Sequence, residues 1–217
     1  MRPRPLISGV LLTAIVLIAA DPAWKTKPVA QWTKDDAREV TLNSPWVKHS
    51  GKSIVPERGE AQLREGGKMG GGGERAGLGK VDASARGSLA VRWESAAPLR
   101  AAEILAGETS PPDWDGDFYA IAVYDVPGIG SSTPKSLRVD IRLNTLLKRE
   151  GKKDVKPARV EIIMLPGNMA DILYLFPRSA EIGADDHRIE FTSLIGRTFV
   201  AVAFDATEMT HLGKLEL

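Results

Sequence analysis

The densest grouping of side chains able to do chemistry is Asp113-Trp114-Asp115-Gly116-Asp117, with carboxylates on alternate positions. Alternating carboxylates in a loop offer the oxygen ligands that a hard cation such as calcium takes. The spacing departs from an EF-hand: counted from Asp113, glycine falls fourth where the sixth is needed, and Tyr124 stands twelfth where a bidentate glutamate belongs. A solvated turn ahead of a strand accounts for the same residues, with calcium held by Asp113, Asp115 and Asp117 as the alternative. The histidines, His49, His187 and His211, are too widely spaced to pair on one helix, so a zinc site would have to be assembled from distant segments.

Asp185-Asp186-His187 sets acids beside an imidazole, a grouping that orients a general base, with Ser179 or Ser193 as a conceivable nucleophile. No G-x-S-x-G elbow presents such a serine, and a polar hairpin turn explains the triplet. The glycine-rich residues 66–79 do not form a phosphate loop. Val81 follows Gly79-Lys80 where Ser or Thr is required, and Glu74 takes the place of the first glycine.

Five tryptophans stand out against three tyrosines, and Trp24, Trp32 and Trp46 lie near the N-terminus. Aromatic faces there either fasten the segment onto the main domain or meet a partner such as a polysaccharide or an envelope protein. Trp32 and Trp46 are the binding candidates.

The elements that position these residues follow from periodicity and punctuation. Thr33 and Asp36 have the spacing of a capping box, predicting a helix within 31–40 that ends at Ser44-Pro45. Leu89, Val91 and Trp93 alternate with polar neighbours as in a half-buried strand, and Pro98 opens a helix that stops at Gly107. Phe118 to Tyr124 is apolar at successive positions, which predicts a central strand covered on both faces. Leu137, Val139, Ile141 and Leu143 alternate with Arg138, Asp140 and Arg142, predicting an amphipathic strand, followed by a basic loop or short helical turn over Asn144 to Lys153. Further strands are predicted at Val160–Leu165, Ile172–Phe176, Arg188–Thr192 and Thr198–Phe204. Strands outnumber helices and the connections are short. The fold class is α+β, a mainly antiparallel sheet or sandwich with one or two short helices.

Arg2 and Arg4 precede an uncharged apolar run from Leu6 to Ala20, the pattern of a secretory signal. At about 1.5 Å per residue that run reaches roughly 22 Å, short of the ~30 Å hydrocarbon core, which fits a cleaved peptide better than a span. Ile18 sits at −3 to a cut after Ala20, so an uncleaved tether is the alternative. Either way the remainder is expected outside the cytoplasm, periplasmic or secreted. The chain carries 29 Lys+Arg and 28 Asp+Glu; without the signal's two arginines the net charge is −1, which disfavours nucleic acid. With no cysteine, disulfides, thiolate metal sites and a lipoprotein anchor are excluded. The organisation reads as a signal over 1–20, a Trp-rich helical segment over 21–50, a flexible Gly-rich linker over 51–87, and a β-rich domain over 88–217.

Gln31-Trp32-Thr33, Asp36-Ala37, Ser44-Pro45-Trp46, Val91-Arg92-Trp93-Glu94-Ser95-Ala96, Tyr174-Leu175-Phe176-Pro177-Arg178-Ser179 and Gly213-Lys214-Leu215-Glu216-Leu217 together resemble an uncharacterised family of exported bacterial proteins. The resemblance implies that the Trp-bearing segment and the C-terminal strands form one recurrent unit; it carries no activity or ligand. The function expected is a non-catalytic exported binding or envelope-associated module. The alternatives are an extracytoplasmic hydrolase using carboxylates dispersed among Asp113, Asp115, Asp117 and Asp185, and a structural subunit of an envelope assembly marked by an unpaired apolar edge strand.

Overall fold

The computed structural model describes residues 21–51, 53–54, 88–108, 111–129 and 135–217. The signal-like residues 1–20, the glycine-rich residues 66–79 and all but the first few positions of the 51–87 span lie outside the described residues.

A one-turn helix α1 (Ala23–Thr26) leads to α2 (Lys34–Asn43). Thr33 caps α2 through the reciprocal box expected of it, accepting from the Asp36 amide at 3.1 Å while Asp36 Oδ2 accepts from the Thr33 amide at 2.8 Å. Strands β1 (Val47–Gly51) and β2 (Ser53–Ile54) follow, then β3 (Ser88–Arg92) and helix α3 (Ala97–Ala106). Gly107, in the left-handed conformation at φ 75°, ends α3. Beyond it come β4 (Phe118–Pro127), α4 (Lys135–Leu143), β5 (Thr145–Arg149), β6 (Arg159–Leu165), β7 (Met169–Pro177), β8 (Arg188–Ile195), β9 (Thr198–Asp205), and a small ribbon of β10 (Thr210–His211) and β11 (Lys214–Leu215).

One five-stranded sheet runs β1-β3-β4-β7-β6 and a four-stranded sheet runs β2-β9-β8-β5. Among the described residues every strand pairing is antiparallel. The protein is therefore α+β and β-rich. The sheets meet through aromatic side chains: Tyr174 and Phe176 contact Phe191 edge-on at 5.1 and 6.4 Å, and Trp93 contacts Phe204 at 5.3 Å. β4 is central and buried on both faces; Ile121 and Val123 enter the main core, while Ala120 and Ala122 join Leu173 and Leu175 in a second cluster on the outer face. A bulge breaks the β4–β7 register between Val123 and Val126, where Asp125 takes φ 55° and its amide donates to Asp171 at 2.9 Å.

Two local expectations are corrected. Residues 135–143 form α4 and not a strand, because Leu137 and Ile141 lie four apart on one helical face. Ile141 is buried there, while Val139 and Leu143, which a strand would turn to the same side, are exposed. The helix ends as Asn144 Nδ2 and Thr145 Oγ1 donate to the carbonyls of Asp140 and Ile141. The segment read as a basic loop instead carries β5, an edge strand on β8 that presents Leu147 to the core. In addition, Ser53–Ile54, inside the span read as linker, pairs with Thr198 and Phe199.

Candidate functional site

Because β4 is covered on both faces, polar side chains on the outer face of neighbouring β3 are covered too. Arg92, at the end of β3, has a side chain only 11% exposed. Its Nη1 donates to Glu103 Oε1 at 3.1 Å and Glu108 Oε2 at 2.7 Å, its Nη2 to the Thr41 carbonyl at 3.1 Å, and its guanidinium lies over the Tyr124 ring. Gly107 makes this possible: the left-handed turn brings the Glu108 amide back onto the Glu103 carbonyl at 3.0 Å, which returns the Glu108 carboxylate towards Arg92. Two residues past Arg92, Glu94 is wholly buried and accepts from the Tyr124 hydroxyl at 2.7 Å.

Burial, then the nearby charge of Glu103, push the Glu94 carboxyl up to about 8, so it is mostly protonated at neutral pH. Burial and Glu94 likewise hold the Tyr124 phenol well above its ordinary value. Arg100, one turn before Glu103 on α3, extends the ladder outwards. Its Nη1 lies 3.8 Å from Glu103 Oε2 and 4.0 Å from Glu94 Oε2, and its Nη2 lies 3.4 Å from Asp113 Oδ1. The guanidinium covers the Trp114 ring at 5.0 Å.

This ladder forms one wall of a recess of about 250 Å³ lined by Glu94, Ser95, Arg100, Asp113, Trp114, Gly116, Phe118 and Arg178. Arg178 enters from the turn Arg178–Ala180 after β7; it lies over Tyr119 at 4.5 Å and donates to the Leu217 carbonyl at 2.9 Å. The recess is smaller than the ~300–1,000 Å³ of enclosing small-molecule sites, and suits one ring-sized group. It offers an aromatic surface, two guanidinium groups and a carboxylate at the rim.

The residues singled out from sequence fall as follows. Asp113, Asp115 and Asp117 sit on an exposed loop; Asp113 pairs with Arg100, and the Asp117 carbonyl accepts from the Arg178 amide. Among the described residues no three His, Cys, Asp or Glu side chains gather as a metal site. Asp186 is buried, with Arg149 at 3.4 Å and Lys152 at 3.1 Å, while Asp185 and His187 are exposed. Ser193 is corrected as a nucleophile: it is fully buried between Thr145 Oγ1 at 2.9 Å and the Tyr174 hydroxyl at 2.8 Å. Thr145 gives its hydrogen to the Ile141 carbonyl at 2.6 Å, so Ser193 must donate to Thr145 and Tyr174 to Ser193. Ser179 is exposed. His49 meets the Leu42 carbonyl at 3.3 Å, and His211 meets the Lys27 carbonyl at 3.1 Å and the edge of Trp32.

Trp46 is fully buried and donates to the Glu216 carbonyl; Trp32 is 6% exposed and donates to the Lys27 carbonyl at 3.0 Å. Both rings belong to the core, as do Trp24 and Trp93. Trp114 is the one tryptophan left half-exposed. Sequence reasoning passed over Glu94, Glu103, Arg92, Arg100 and Arg178. The available signal was the apolar run of β4: a strand covered on both faces implies a covered outer face for Arg92 and Glu94 as well.

No protein family, curated protein or solved structure matches the chain. Among the described residues no helix is long and apolar enough to cross a membrane.

Proposed function

We propose that the chain is an exported, non-catalytic binding module, and that its ligand contact is the recess beside Trp114. The observation that carries this reading is the placing of the tryptophans: four are taken up by the core, and the fifth stands half-exposed on a recess that also holds Arg100, Asp113 and Arg178. An aromatic surface rimmed by planar charged groups suits a saccharide unit, with its apolar ring faces and ring of hydroxyls. The basic start and apolar run of residues 1–20 support delivery outside the cytoplasm, to the periplasm or beyond.

A hydrolase is the second reading, favoured by one observation: a carboxyl protonated near neutral pH, Glu94, and a carboxylate, Asp113, border the same recess. A general acid must come within hydrogen-bond reach of the bond it protonates. Glu94 is wholly covered and its Oε1 accepts from the Tyr124 hydroxyl, which weighs for binding over catalysis.

Tryptophan emission is the direct test. Titrating the mature chain with neutral and acidic oligosaccharides should shift or quench the emission of Trp114, and Trp114→Phe should abolish the response without changing the fold. An unaltered signal across such a panel would remove the recess from consideration. Release of nitrophenol from aryl glycosides, lost in Glu94→Gln, would establish the hydrolase instead.

A further inference from the structure

The turn that sends Arg178 into the first recess contributes Ser179 and Ala180 to a second cavity, of about 560 Å³. Its frame is Arg149, at the end of β5. That side chain is only 8% exposed; Nη1 donates to the Ala180 carbonyl at 2.9 Å and Nη2 to the Lys153 carbonyl at 3.2 Å, tying two walls of the cavity together. The loop between those walls folds back onto β5 through a bridge between Val155 and Leu147. This places Lys153 and Lys156 on the cavity wall.

The lysine donors here stand without counterions among the described residues. The Nε of Arg149 is buried without an acceptor among the described residues, and with Nη1 and Nη2 committed the guanidinium lends the cavity positive charge and not a free hydrogen. Lys153 and Lys156 are exposed and make no ion pair among the described residues, in contrast to neighbouring Lys152, which is held by Asp185 at 2.7 Å and Asp186 at 3.1 Å. Asp154 is the acid on the same wall, and Asp186 already balances Arg149. The geometry points to a site for a tetrahedral oxyanion, the phosphate or sulfate ester of a small organic molecule, held by Lys153, Lys156 and the Ser179 hydroxyl against Arg149.

The donor types select this class. A carboxylate is best met by the parallel pair of hydrogens on a guanidinium fork. The fork of Arg149 is already committed to Ala180 and Lys153, which leaves single donors on separate stems, the pattern that serves an anion with several divergent oxygens. Val155, Pro177 and Ala180 supply an apolar wall, so an organic ester should be preferred to the inorganic ion. The inference does not depend on the Trp114 recess, since no donor is shared between the two.

Calorimetric titration of the mature chain at low salt with phenyl phosphate, phenyl sulfate and inorganic phosphate tests it. At least one ester is expected to bind with Kd below ~1 mM, more tightly than inorganic phosphate. The double variant Lys153→Gln/Lys156→Gln should weaken that binding about tenfold or more while leaving the thermal midpoint unchanged, because both side chains are exposed. Trp114→Phe should leave it intact. Phenyl phosphate affinity rising with pH through about 6, as its second proton leaves, would assign the phosphate ester; tighter and pH-independent binding of phenyl sulfate would assign the sulfate ester. No heat from either ester at ~10 mM, an affinity untouched in the double variant, or equal binding of the inorganic ion would overturn the proposal.

Discussion

The indole N–H of Trp46 donates to the carbonyl of Glu216 at 2.7 Å, joining positions 170 residues apart. Trp46→Ala removes both this bond and a fully buried ring, and is expected to cost about 3–5 kcal/mol. Trp32, at the rim of the same core and edge-on to His211, should cost nearer 1–3 kcal/mol on the same substitution. Denaturant midpoints of the two purified variants against the parent check both figures; an unchanged midpoint for Trp46→Ala would mean the segment is held some other way.

Glu94 makes stability depend on pH in a definite direction. Its carboxyl is raised from the ordinary 4.5 to about 8, so in that window the folded chain keeps a proton that the unfolded chain releases. The stabilisation is complete below about 4.5 and is lost as pH rises through about 8. Glu94→Gln keeps the neutral shape and the acceptor for Tyr124 but removes the titration. Melting curves from pH 5 to 9 should therefore fall less steeply for the variant, which should overtake the parent above pH 8 by an amount on the order of a few kcal/mol.

Ser193 relays a one-way chain from the Tyr174 hydroxyl to the Ile141 carbonyl. Ser193→Ala leaves two buried hydroxyls short of partners and is expected to cost about 1–3 kcal/mol. Adding Tyr174→Phe should cost less than in the parent background, because the phenol no longer has an acceptor to lose. A double-mutant cycle showing strict additivity would contradict the hydrogen bond between Tyr174 and Ser193.

Asp186 accepts from the Gly183 amide at 2.8 Å and balances Arg149 and Lys152 with no exposure of its side chain. Asp186→Ala leaves the buried guanidinium of Arg149 without its counterion and should cost about 3–5 kcal/mol. Asp186→Asn retains an acceptor for Gly183 and should cost less. Chemical denaturation of both variants orders them.

What could be read from the sequence was local, and what could not was tertiary. The Thr33–Asp36 box, the Gly107 stop and the doubly apolar run of β4 are each set by neighbours within a few residues, and each is found in place. The alternation at 137–143 misled because a period of two and a pair of i, i+4 stripes coincide over so short a stretch; burial of Ile141, with half-buried Leu137 packed against the core one turn before it, selects the helix. The Arg92–Glu103–Arg100 ladder was invisible for a related reason. Its members come from a strand and a helix that pack only in the folded chain, and charged residues in those positions look like ordinary solvated ones.

β1 and β2 stand almost end to end in the chain, yet each closes the edge of a different sheet, and the partners of β2 are Thr198 and Phe199. At synthesis rates of about 5–20 residues per second, Ser53 waits roughly 7–30 s before the strand it pairs with exists. Neither the four-stranded sheet nor the Trp46 contact with Glu216 can close in the meantime. Both closures therefore wait on residues far downstream: a chain interrupted before position 198 lacks the partner of β2, and one interrupted before 216 still lacks the acceptor for Trp46.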